Sequence, residues 1–201
     1  MHRVFVDANV LGSKTLYDWL FLLRRQLPAV FSLSTTDDVL DEAHRVWRRR
    51  HPKIGGAMRA KRDKLFREYF DEITSDWHGQ VTSAVDVDDS HVHNAAVDLE
   101  VDILLTNNVK DFAERDDISH DPPYDVYTPD EFFCLIYENN PDAVRAVAGT
   151  QLGYWLRRAE ADPGVEQKSL AVALEGAGCP NFAQKVNECL MIMSGSGEVR
   201  R

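Results

Sequence analysis

Apolar residues along this chain fall into short continuous runs and longer helical stripes, and polar residues gather where the runs end. The first run lies in RVFV and stops at Asp7, which is therefore expected at the carboxyl end of a strand. After the loop Ala8 to Gly12, the stripe Leu16, Trp19, Leu20, Leu23 and Leu27 predicts a helix that Pro28 stops. Val30 to Leu33 predicts a second strand, with Ser34, Thr35 or Thr36 capping the next helix. Its buried stripe is Val39, Leu40, Ala43, Val46 and Trp47. His51 to Gly56 reads as a loop, and a basic helix is expected from Ala57 to Ile73. Ser75 to Val87 shows neither period clearly.

The stretch from Asp86 to Phe112 sets a helix and a buried strand in succession, with acids at the start of one and beyond the end of the other. Asp88 or Asp89 can cap a helix whose apolar positions Val92, Ala95, Ala96 and Leu99 share one face. Ile103 to Leu105 is a compact apolar run of the kind covered on both faces in a parallel sheet, and Thr106 to Asn108 break it. Beyond the acidic loop Glu114 to Asp121, a last strand is expected near Tyr124 to Tyr127. Thr128, Pro129 and Glu131 then make a helix start with capping hydroxyl, proline and glutamate in their favoured places. Strands alternating with helices predict an α/β domain over residues 1–139: three layers, with a central parallel sheet. From Pro141 only helices are expected, near Asp142 to Glu160, Gly164 to Glu175 and Pro180 to Met191, with a frayed tail from Ser194. Residues 140–201 read as a helical extension.

In open parallel sheets chemistry gathers in the loops beyond the carboxyl ends of the strands. Asp7, Glu42, Asp89 and Asp111 come from four separate elements, and three of them lie at strand ends or helix starts that can face one cleft there. At about 100° per residue, Glu42 falls at the edge of its helix's buried stripe. Helix capping accounts for Asp89 on its own, and Asp111 could cap a short turn, whereas a carboxylate directly after a buried strand needs a partner. Converging carboxylates repel one another, and a hard cation such as Mg²⁺ or Mn²⁺ relieves that repulsion; oxygen-only ligands suit such an ion. His91 and His93 diverge by about 200° on a helix, so they cannot share an ion and read as ordinary polar or partly buried histidines.

A net charge of −10 over 201 residues argues at first against nucleic acid. Its distribution changes that view: residues 44–67 hold ten of the 23 basic residues and one acid, giving +9 there and −19 elsewhere. Beside an acidic cleft, Arg45, Arg48, Arg49, Arg50, Lys61 and Arg62 become a candidate phosphate track. Three cysteines without metal-ligand spacing suggest buried thiols in a reducing compartment. With no long apolar segment and no leader pattern, the protein is expected in the cytoplasm, away from membranes.

The motifs VFVDANVL, LDEAHRV, DDSHVHNAA, DILLTNNVKDF and TPDEFF occur in this order along residues 1–138. So ordered, they resemble the PIN-domain ribonucleases, specifically the toxin components, called VapC, of bacterial toxin–antitoxin pairs. The tail, with GCPNFAQKV, resembles the carboxyl-terminal extension of one subgroup. The resemblance implies a PIN-like fold and a catalytic, metal-holding set of Asp7, Glu42, Asp89 and Asp111, with Asn108 where many members carry another aspartate. Asn107 is equally polar, and register alone favours Asn108. Asn9 would support Asp7, and Thr106 would stand behind it. The activity implied is Mg²⁺-dependent hydrolysis of RNA, such as tRNA or rRNA, leaving 5′ phosphate and 3′ hydroxyl ends and inhibiting translation and growth. The partners implied are a cognate antitoxin and a second copy in a homodimer.

Two other α/β classes compete with this reading, the first of which also starts with a strand and an aspartate. A haloacid-dehalogenase-like phosphatase wants a second acid two residues on, where this chain has Asn9. A receiver domain needs paired acids near the first strand's end and a late lysine, and the fit is poor. The non-enzymatic alternative is a PIN-like scaffold that binds RNA or protein with little catalysis.

Overall fold

A computed structural model describes residues 1–52, 55–75, 90–112, 122–162 and 169–195. They form an α/β protein in two compact units. The first comprises Met1–Tyr17 and Pro28–Thr128, the second Asp18–Leu27 and Pro129–Arg201.

The first unit is built on a five-stranded, all-parallel sheet. Strand β1 (His2–Val6) leads through the one-turn helix α1 (Ala8–Leu11) to α2 (Lys14–Gln26), which passes into the second unit at Asp18. Then come β2 (Phe31–Thr36), α3 (Asp37–Arg50), α4 (Gly56–Tyr69) and β3 (Glu72–Thr74). Helix α5 (Ser90–Asp98), β4 (Ile103–Leu105), the short α6 (Val109–Phe112) and β5 (Asp125–Tyr127) follow among the described residues. The sheet order is β3-β2-β1-β4-β5. Val4, Phe5, Val6, Leu104 and Leu105 are wholly buried, as central strands covered on both faces require. The chain winds outward from β1 to β3 and returns to place β4 against β1, with Val6 opposite Leu105. This reversal makes the carboxyl ends of β1 and β4 a topological switch point, where open sheets form their ligand crevices.

Two elements differ from the sequence expectation. Strand β2 does not stop at Leu33 but runs to Thr36. Its buried hydroxyls are satisfied locally: Ser34 donates to the carbonyl of Val4 and Thr35 to that of Val6, while Thr36 caps α3 by accepting from the Val39 amide. Helix α4 ends at Tyr69, and Ile73 belongs to an edge strand instead of the helix. A three-residue strand is too short to declare a period. It is pinned by Asp71, whose side chain accepts from the Leu33 amide and whose own amide donates to the Leu33 carbonyl.

The second unit is helical in its described residues. It contains the distal part of α2, α7 (Pro129–Asn139), α8 (Pro141–Ala161), α9 (Leu170–Glu175) and α10 (Pro180–Gly195). Phe182 sits at its centre, 5.1 Å from the rings of both Trp19 and Phe133. Asp130, buried on α7, accepts from the amides of Asn181 and Phe182 and from the Asn181 side chain, so one helix caps the amino end of another. Cys134, Cys179 and Cys189 are free thiols. No helix among the described residues is long and apolar enough to cross a membrane.

Candidate functional site at the exits of β1 and β4

Asp7 follows the last residue of β1, caps α1 and is 5% exposed. One carboxylate oxygen accepts from the Ala8 amide. The other accepts from Asn9 Nδ2 at 2.6 Å and from Thr106 Oγ1 at 2.7 Å. Thr106, wholly buried just past β4, also accepts from Asn9 Nδ2 at 2.9 Å and from the Asn108 amide at 3.0 Å. Asn9 Oδ1 in turn accepts from the Asn107 amide. These bonds lock the two strand exits together.

Despite three donors, the pKa of Asp7 is held above its ordinary value. Burial is the main cause, and the charge of Glu42 adds to it; the bonds from Thr106 and Ala8, and His91, act the other way. Glu42, half-buried on α3, thus shares an electrostatic site with Asp7. His91 Nε2 on α5 lies 3.9 Å from Glu42 Oε2. His93 faces elsewhere, with Nδ1 2.6 Å from the Tyr124 hydroxyl. The two histidines do diverge, but His91 stands beside Glu42 and acts electrostatically on Asp7, a placement its sequence position did not reveal. The divergence was legible; which of the two faced the acids depended on the rotation of α5.

The remaining expected residues are placed less closely. Asp111 is the third residue of α6, directly beyond β4, with its amide bonded to the Asn108 carbonyl. Asn108 joins the network through its backbone, whereas Asn107 also turns its side chain to Asn9, at 3.4 Å. Asp89 lies outside the described residues. Among the described residues no group of three His, Cys, Asp or Glu side chains is placed to hold a metal ion. Asp7, Glu42 and Asp111 supply only oxygen donors. The mutual repulsion of Asp7 and Glu42 is what a hard cation would relieve.

Arg45, Arg48, Arg49, Arg50 and Lys61 are exposed on α3 and α4. Among the described residues no carboxylate pairs with any of these five. Arg62 is a different case, being only 5% exposed and turned inward. The charge pattern of the sequence placed it on the phosphate track, but a buried guanidinium cannot reach a strand lying on the surface. Arg62 stands one turn before Phe66, on the helix's buried face.

No family model matches the chain, and neither a curated protein nor a solved structure matches it.

Proposed function

We propose that this protein is a metal-dependent endoribonuclease of the PIN type, acting as the toxin of a toxin–antitoxin pair. The observation that carries the reading is Asp7: a buried carboxylate at the switch point of a parallel sheet, raised in pKa by its burial and by Glu42. The order of motifs from VFVDANVL to TPDEFF supports the same family. Asp7, Glu42, Asp89 and Asp111, with Asn108, would hold Mg²⁺ or Mn²⁺. When bound, the ion would lower the pKa of a water and stabilise charge on the leaving 3′ oxygen. Asn9 and Thr106 hold Asp7 by hydrogen bonds, and His91 stands 3.9 Å from Glu42. Arg45, Arg48, Arg49, Arg50 and Lys61 would bind the RNA backbone, consistent with their exposure and their lack of acidic partners among the described residues. An antitoxin arm carrying a cation would suit the acidic cleft, and a homodimer fits the family.

The test is incubation of the purified protein with total cellular RNA and Mg²⁺, with EDTA and Asp7→Asn as controls. Discrete fragments requiring both the ion and Asp7 are expected. Absence of cleavage by protein free of antitoxin and shown to bind Mg²⁺ would leave the binding scaffold as the better reading. Reversing Arg48, Arg49 and Arg50 to glutamate should weaken RNA affinity and flatten its salt dependence.

A further inference from the structure

Arg62 connects the two helices that carry Asp7 and Glu42. Its Nη2 donates to the carbonyl of Leu11 at 2.6 Å, and Leu11 ends the helix that Asp7 caps. Its Nη1 donates to the carbonyl of Ala43 at 3.4 Å and to His44 Nδ1 at 3.0 Å, the two residues directly after Glu42 on α3. The guanidinium carbon lies 4.6 Å from the ring centre of Phe66, 5.2 Å from Trp47 and 5.6 Å from Tyr17. Among the described residues its Nε has no acceptor.

Filling this space with an apolar side chain would avoid the desolvation of a cation, so packing alone does not call for arginine. A planar fork with donors pointing in two fixed directions does what no apolar side chain can: it ties the end of α1 to one turn of α3. Asp7 and Glu42 ride on these two helices and repel each other. Gly12 and Val46 meet at the same junction, where a Cβ on Gly12 would come within 3.7 Å of the valine.

We propose that Arg62 is a positioning residue that sets the separation and orientation of Asp7 and Glu42, and does not itself bind RNA. The proposal rests on the nuclease reading above and deepens it. Arg62 acts through the backbone of α1 and through Ala43 and His44, so its loss changes where the acids stand and removes none of the exposed arginines.

The experiment compares wild type with Arg62→Met, which fills the aromatic cage without donors, and Arg62→Lys, which keeps the charge without the fork. Each is checked for folding by urea denaturation. Cleavage of an RNA substrate with Mg²⁺ gives kcat and KM, and Mn²⁺ titration without RNA, followed by electron paramagnetic resonance, gives metal affinity. In both variants kcat should fall about 10-fold to 100-fold, as expected for a displaced reactive group, while KM stays within about twofold. The Mn²⁺ Kd should rise in parallel. Folded variants with wild-type kcat and Mn²⁺ affinity would overturn the positioning role and leave the nuclease reading intact. A loss confined to KM would also overturn it, placing Arg62 with the strand-binding residues. An inactive wild type would overturn the nuclease reading and this role with it. If neither variant folds, His44→Leu, which removes one acceptor together with the 3.4 Å contact to Asp63 and the stacking on Phe66, should lower kcat at unchanged KM, and an unchanged kcat there would overturn the role.

Discussion

Replacing Thr106 by valine keeps the shape of a wholly buried side chain and removes one hydroxyl. That hydroxyl takes part in three bonds, and they do not count equally. Asn9 Nδ2 keeps its 2.6 Å bond to Asp7, and Asn108 is exposed, so its amide can turn to water. The bond donated to the Asp7 carboxylate has no replacement in a buried site. A charge-assisted bond of this kind contributes about 1.5–3 kcal/mol. For a chain of this size that corresponds to a melting temperature lower by about 3–12 °C. The effect should also depend on pH. Folding raises the pKa of Asp7, so its ionised form already costs stability at neutral pH, and the Thr106 bond offsets part of that cost. Thr106→Val therefore destabilises most where Asp7 is ionised, and the loss shrinks as falling pH protonates it. Urea denaturation in metal-free buffer across the acid range measures this, with Thr106→Ser as the control that keeps the hydroxyl. A destabilisation under about 0.5 kcal/mol, or one independent of pH, would refute the reasoning, since a charged acceptor makes both its size and its pH dependence necessary.

Asp130→Ala leaves the amino end of α10 without its acceptor, and a loss of about 1–2 kcal/mol is expected by chemical denaturation, as for other lost helix caps. Burial lowers the pKa of His93 below its ordinary 6.5, so the fold favours the neutral ring. Its contribution is complete above the unfolded value and is lost as the pH falls through the folded one; His93→Gln should flatten the decline in melting temperature below about pH 6.5.

The sheet was legible because its central strands are buried on both faces and read as uninterrupted apolar runs. Strand β2 was harder to delimit, since Ser34, Thr35 and Thr36 look like a loop until β1 supplies carbonyls for two of them and α3 an amide for the third. Strand β3 was concealed because three residues carry no period. Asp7 stood out from the sequence because an acid directly after a buried strand is costly. The inward turn of Arg62 depends on which aromatic residues of α2, α3 and α4 close around it, and no single-helix pattern contains that information. His91 was hidden for the same reason: a helix's rotation against its neighbours decides which of two opposed histidines meets Glu42.

The ends of the RNA fragments test the central claim most directly. Water attacking phosphorus at a metal-holding acid site leaves 5′ phosphate and 3′ hydroxyl ends, which a ligase joins without pretreatment. Attack by the RNA's own 2′ hydroxyl, promoted by a histidine such as His91, leaves a 2′,3′-cyclic phosphate and needs no metal. A nuclease working through Asp7 should give directly ligatable fragments that EDTA and Asp7→Asn both abolish. Cyclic phosphate ends that persist in EDTA would contradict it.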